Sequence, residues 1–261
     1  MQALLNTAVK AARKGGDTAL RYANRVHELE IQTKARNEFV TQVDLAAESE
    51  IIETIRERYP DHAFLAEESG KTGDNDFVWI IDPLDGTTNF LHGFPVFAVS
   101  IALRVKGRLE AGVIYDPNRQ EIFTAIRGQG AHLEGKRIRV SRRTSLDGAL
   151  ICTGFPYRSD PEQTKQYLAM LESVLKSTAG IRRPGAAALD LAYLATGRLD
   201  GFWEFGLRIW DIAAGTLLIR EAGGLISELQ GEGDFLESGN IVAGAPKVHD
   251  ALKKILAPHL A

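Results

Sequence analysis

Cysteine occurs once in the sequence, at Cys152, so an internal disulfide is impossible and a reducing compartment is expected. Long apolar runs are also missing. The longest, Val96 to Leu103, is broken by Ser100 and is too short to span a bilayer, so no membrane association is expected. Met1 to Gly16 mixes Lys10, Arg13 and Lys14 with alanines where a secretory leader would be continuously apolar, and the expected location is the cytoplasm. Neither sign of charge dominates. With 31 Lys and Arg against 34 Asp and Glu, the formal net charge is −3, which gives no reason to expect general nucleic-acid binding. The basic stretch Arg139 to Arg143 reads as a solvated connection. Repeats, heptads and low-complexity segments are absent as well. What remains is an ordinary globular composition, 44% hydrophobic and 25% charged over 261 residues, enough for a large core or for two domains sharing one cleft.

The most informative stretch runs from Trp79 to Phe90. Phe77 to Ile81 is apolar on both alternating faces, as expected of a central strand covered on both sides, and it ends abruptly in Asp82-Pro83-Leu84-Asp85-Gly86. Pro83 fixes one backbone angle between the two aspartates, and Gly86 removes a side chain where close approach is needed. Thr87, Thr88 and Asn89 are good helix-start residues, so the amides of Gly86, Thr87 and Thr88 would suit an anion. Two carboxylates beside a phosphate repel it unless divalent cations lie between them. All the donors are hard oxygens, which favours Mg2+ or Mn2+ over zinc. The run therefore reads as a metal-assisted phosphoryl site, although an isolated D-x-x-D is also met as a plain helix cap.

Around that turn, helical spacing predicts helices over residues 3 to 23 and from Asp44 to Tyr59, separated by a charged hairpin or loop at 31 to 41. Ala63 to Ala66 forms a short strand that delivers Glu67 as Phe77 to Ile81 delivers Asp82, and Lys71 to Asp76 is a polar loop. Three strands follow at 96 to 105, 109 to 115 and 121 to 126, an antiparallel meander, and then a short polar stretch after Gly128 and Gly130. A domain boundary is placed near residue 145, giving units 1–145 and 146–261. In the second, strands at 149–153, 180–183, 199–205, 225–228 and 240–243 alternate with helices at 161–176, 186–196, 210–222 and 246–256.

Asp82-Pro83-Leu84-Asp85-Gly86-Thr87-Thr88-Asn89-Phe90 resembles the signature of the inositol monophosphatase family, the lithium-sensitive Mg2+-dependent phosphatases. Ala66-Glu67-Glu68-Ser69 resembles the family's G-E-E-S, Trp210 to Gly215 its W-D-x-A-A-G, and Glu221-Ala222-Gly223-Gly224 its E-A-G-G, in the family's order and over nearly the whole chain. The resemblance implies an α/β, layered α-β-α-β-α sandwich, hydrolysis of myo-inositol monophosphate by metal-activated water, two to three Mg2+ per site, and a homodimer. Related enzymes act on sugar bisphosphates or 3'-phosphonucleotides. Bacterial members of the SuhB type associate with the transcription machinery, so RNA polymerase or antitermination factors are further candidate partners.

The resemblance also implies roles for individual residues. Glu67, Asp82 and the Leu84 carbonyl would hold one metal, Asp82, Asp85 and Asp211 a second, and Glu67 with waters a third. Glu67 and Thr87 would position and deprotonate the attacking water, with Asp44 orienting the Thr87 hydroxyl; no Cys or His stands where a phosphoenzyme nucleophile belongs. Substrate contacts would come from Glu67, Leu84, Asp85, Gly86, Thr87, Gly185, Ala186, Ala187, Glu204 and Asp211, with Arg182 or Arg183 nearby. On residue type alone, Asp44 and Asp211 are equally good helix caps, and Glu204 with Arg182 an edge ion pair. Many relatives carry Ser or Thr where this chain has Ala186, which removes one side-chain hydrogen bond to a polyol. Lys34 and Glu38 only approximate the family's mobile metal-site loop.

Overall fold

Alternation of apolar side chains along the strands decides how the layers stack. The computed structural model describes residues 1–23, 25–26, 31–35, 38–156 and 161–260, and for 31–35 and 38–40 the backbone alone. Helices α1 (Gln2–Ala23) and α2 (Gln42–Arg56) flank the hairpin β1 (Ile31–Ala35) and β2 (Glu38–Thr41). Then come β3 (Ala63–Ala66), β4 (Gly70–Thr72), β5 (Phe77–Asp85), the short α3 (Thr87–Leu91), β6 (Ala98–Val105), β7 (Arg108–Asp116), β8 (Glu121–Ile126), β9 (Gly130–Leu133) and β10 (Lys136–Arg137). The remainder is β11 (Leu150–Thr153), α4 (Pro161–Ser177), β12 (Gly180–Arg182), α5 (Ala187–Ala195), β13 (Gly201–Glu204), α6 (Ile209–Glu221), β14 (Leu225–Glu228), α7 (Phe235–Ser238), β15 (Ile241–Gly244) and α8 (Pro246–Leu256).

One eight-stranded sheet is ordered β10-β9-β8-β7-β6-β5-β3-β4, and one five-stranded sheet β12-β11-β13-β15-β14. On the large sheet, Trp79, Ile81, Val99, Ile101 and Val113 face α1 and α2, where Ala8, Ala11, Ile51 and Ile55 receive them. Their strand neighbours Ile80, Ala98, Ala102 and Ile114 face the other way, onto Leu189 and Leu191 of α5 and Ile212, Ala213 and Leu217 of α6. Those two helices are covered on their far side by Phe202 and Ala243 of the small sheet, whose alternate residues Trp203 and Val242 pack on Tyr167, Met170 and Val248 of α4 and α8. The result is the α-β-α-β-α sandwich expected. The large sheet ends at residue 137 and the small one begins at 150, but α5 and α6 belong to the core of both.

Several elements differ from the sequence reading. The stretch 71–76 is not wholly loop: Gly70–Thr72 pairs with β3 as a short edge strand, whose exposure leaves it without apolar alternation. The polar stretch after Gly130 is the β9–β10 hairpin, and α7 had no periodic signal in four residues. Helix α2 starts two residues before Asp44. Thr41 is its N-cap, and Asp44 is the third helical residue, whose Oδ2 accepts from the Thr41 amide at 2.8 Å and from its hydroxyl at 2.6 Å. Aspartate suits both positions, so residue type alone did not separate them.

Candidate active site

Sheet register brings the acids together. Strand β3 runs parallel to β5 with Ala66 opposite Ile81, so the next residues, Glu67 and Asp82, leave the two strands side by side, and the Glu67 amide extends the ladder to the Ile81 carbonyl at 3.1 Å. On the other edge of β5, Asp82 stands opposite Ser100 and Asp85 opposite Ala98, three residues against two. The surplus residue makes a bulge, and a bulge tolerates the missing amide of Pro83. Asp82 Oδ1 accepts from the Leu84 amide at 3.0 Å and so fixes the turn from within. Ser100 in turn donates its hydroxyl to the Trp210 carbonyl at 3.0 Å, tying the start of α6 to the strand that faces Asp82. Asp211 follows at once, in the first turn of α6, with its Oδ2 accepting from the Arg208 amide at 2.7 Å.

The electrostatics record the convergence. Asp82 is buried, and burial pushes its carboxyl well above the usual carboxylate range, with the charges of Glu67, Asp85 and Asp211 pushing the same way. Burial does the same to Asp85, reinforced chiefly by Asp211 and opposed by the Ala188 amide, which donates to Asp85 Oδ2 at 2.7 Å. That bond makes Asp85 an external cap for α5. Ala186, the residue at the helix's own N-cap, has no side-chain oxygen to offer. Among the described residues, no group of three or more His, Cys, Asp or Glu side chains stands in an arrangement that could hold a metal ion as it is. Buried oxygen donors raised by one another's charge nevertheless suit hard divalent cations, of which Mg2+ retains several waters and needs few carboxylates per ion.

Thr87 links the turn to α2. Its hydroxyl lies 3.1 Å from both Asp44 Oδ1 and the Leu84 carbonyl, with Asp44 buried behind it and its carboxyl raised by that burial. Gly86 precedes α3 with φ of +95°, a conformation open to glycine, and a Cβ there would come within 2.8 Å of the Val96 carbonyl. Gly185 and Ala186 approach the same turn: Asn89 donates to the Pro184 carbonyl at 2.9 Å and to the Val96 carbonyl at 2.8 Å, and Ala186 and Ala187 lead into α5 beside Asp85. Asn89 and Ser100 are the positioning residues that the sequence reading passed over. The T-N-F run marked Asn89 as a helix-start residue, and only its pairing across nearly a hundred residues shows its use.

Glu204 ends β13 with its carboxyl against Gly154, where any Cβ would overlap it, and burial next to Asp190 holds that carboxyl well above the usual range, with Arg183 opposing. The two arginines differ in placement. Arg182 is exposed and donates to its neighbour's Ile181 carbonyl at 3.0 Å, whereas Arg183 stacks over the Phe155 ring at 4.8 Å and faces Glu204 and Asp190. Arg182 therefore stands outside the cluster, exposed at the end of β12. The side chains of Lys34 and Glu38 lie outside the described residues.

The model of the inositol monophosphatase family matches residues 1–260. The chain is 53% identical to the Nus factor SuhB of Pseudomonas aeruginosa, over 100% of this chain and 98% of that protein. Among solved structures, the extragenic suppressor protein suhB of Bartonella henselae superposes with a TM-score of 0.94 at 45% identity, covering 97% of this chain and 98% of that one. The inositol monophosphatase of Anabaena gives 0.87 at 38% identity, covering 98% and 96%.

Proposed function

The chain belongs to the inositol monophosphatase family, a family of phosphatases, and from that premise we propose that it hydrolyses myo-inositol monophosphate to inositol and phosphate in a Mg2+-dependent, Li+-sensitive reaction. The observation that carries the proposal is the meeting of Glu67, Asp82, Asp85 and Asp211, from three separate segments, beside the Gly86–Thr88 turn. Glu67, Asp82, the Leu84 carbonyl, Asp85 and Asp211 would hold Mg2+, or Mn2+ in its place, which acidifies water and neutralises the charge that builds on the phosphoryl oxygens. The chain's own residues do the rest. Thr87 holds the attacking water by its hydroxyl oxygen while Asp44 anchors the hydroxyl's proton, and Glu67 takes the proton from that water. The backbone amides of Gly86 and Thr87 receive the phosphate oxygens. The raised Glu204 carboxyl and the backbone at Gly185, Ala186 and Ala187 receive the polyol hydroxyls, with no hydroxyl contributed by Ala186.

The test is phosphate release from inositol 1-phosphate with and without Mg2+ and Li+, in a panel that includes fructose 1,6-bisphosphate and a 3'-phosphonucleotide. No release at any Mg2+ concentration refutes the chemistry; a higher kcat/KM for another ester moves the substrate and keeps the chemistry. The name of the Pseudomonas relative, a Nus factor, supports a second role, binding to RNA polymerase or antitermination factors, and the family resemblance supports a homodimer. Pull-down with wild type and Asp85→Ala, alongside sedimentation, tests it: binding lost together with catalysis argues against a separate scaffold role.

A further inference from the structure

Helix α2 carries two buried carboxylates one turn apart, Asp44 and Glu48, which therefore share a face. Asp44 reaches Thr87. Glu48, 4% exposed, accepts two consecutive backbone amides, from Glu68 to Oε2 at 2.9 Å and from Ser69 to Oε1 at 2.8 Å. Those amides belong to the turn that begins at Glu67. Among the described residues, no Lys or Arg forms an ion pair with Glu48, so its burial is offset by these charge-assisted hydrogen bonds and not by an opposite charge. We propose that Glu48 is a positioning residue of the phosphatase site, clamping the turn that presents Glu67 to Asp82.

The geometry leaves Glu67 little freedom. Its own amide is fixed to the Ile81 carbonyl, and the next two amides are fixed to Glu48, so its backbone is held from both sides. One face of α2 thus fastens both halves of the water-handling apparatus, Thr87 through Asp44 and Glu67 through Glu48. A hydrogen bond to an anchored turn is the kind of outer support whose loss lowers metal affinity by about 10- to 100-fold. This inference rests on the reading of Glu67 as metal ligand and base.

The experiment uses the full chain as wild type, Glu48→Gln, Glu48→Asp and the control Glu50→Gln, whose carboxylate lies on the same helix but pairs with Lys14. Mn2+ binding is measured by calorimetry without substrate, kcat and KM across a Mg2+ series, and melting temperature in the absence of metal. Glu48→Gln retains one acceptor but presents an NH2 group to the other amide, so its Mn2+ dissociation constant is expected to rise about tenfold, with kcat reduced and the ester's KM little changed. Glu50→Gln is expected to match wild type in all of these. A purely structural role lowers the melting temperature but leaves the Mn2+ affinity of the folded protein in place. A folded Glu48→Gln that binds Mn2+ as tightly as wild type overturns the proposal alone, as does failure of both Glu48 variants to fold, which assigns the residue to stability. Wild type that neither binds Mn2+ nor releases phosphate removes the phosphatase reading itself, and the proposal with it.

Discussion

A single methyl group at Gly86 is expected to damage both the fold and the chemistry. Gly86→Ala must hold alanine at φ of +95°, which costs about 1–3 kcal/mol for a residue with a Cβ. The new Cβ also lands 2.8 Å from the Val96 carbonyl and 3.3 Å from both the Ala186 Cβ and the Phe97 Cα, backbone and buried neighbours with little room to yield. Overpacking of this kind costs about 1–3 kcal/mol more. A total loss of about 2 to 6 kcal/mol lowers the melting temperature by about 4 to 24 °C in a chain of this size. Relief would come by shifting the turn, and that displaces the Gly86 and Thr87 amides, where losing one well-placed donor lowers kcat by about 100- to 1,000-fold. Calorimetric melts without metal and steady-state kinetics well below the melting temperature read the two effects separately. Wild-type stability refutes the steric argument; lost stability with kcat within twofold of wild type refutes the assignment of these amides to the phosphate.

Three other perturbations follow from the same geometry. Asp85→Asn removes one of the mutually repelling buried acids, so the metal-free protein is expected to melt no lower than wild type, while the stabilisation of about 2.7 kcal/mol that wild type gains at about 100 times its Mg2+ dissociation constant shrinks sharply; an unchanged Mg2+-induced shift contradicts its role as a ligand. Burial pushes the Asp190 carboxyl up to about 8, so the folded protein keeps a proton that the unfolded chain releases near pH 4, and stability falls as pH rises between the two. Asp190→Asn does not titrate, and its stability relative to wild type is expected to grow across that window by up to about 1.4 kcal/mol per pH unit in denaturant melts. Ala186→Ser places a hydroxyl at the N-cap of α5, where it competes with Asp85 for the helix amides; about 1 kcal/mol of added stability and a lower KM for inositol 1-phosphate are expected, and an unchanged KM argues against a substrate contact at this position.

How much of this was legible in the sequence depended on the range of the interaction that decides each feature. The alternation at Phe77 to Ile81 reported a strand covered on both faces because burial acts residue by residue, and the register with β3 carried Glu67 to Asp82 without further instruction. The turn chemistry of Pro83 and Gly86 is also local, and the bulge and the positive φ stand where those residues are. Strand β4, the β9–β10 hairpin and the exact start of α2 are decided by edge pairing and by which of two oxygen-bearing residues caps, and local composition is indifferent between the outcomes. The supports of the site were least visible. Ser100, Asn89 and Glu48 act on backbone atoms 110, 95 and 20 residues away, and backbone atoms carry no residue identity for a motif to record. The acids stood out in the sequence because the role proposed for them requires a carboxylate at each position. What holds them need only be a hydrogen-bonding group at the right point on a strand or helix, and that constraint becomes readable once the strands are paired.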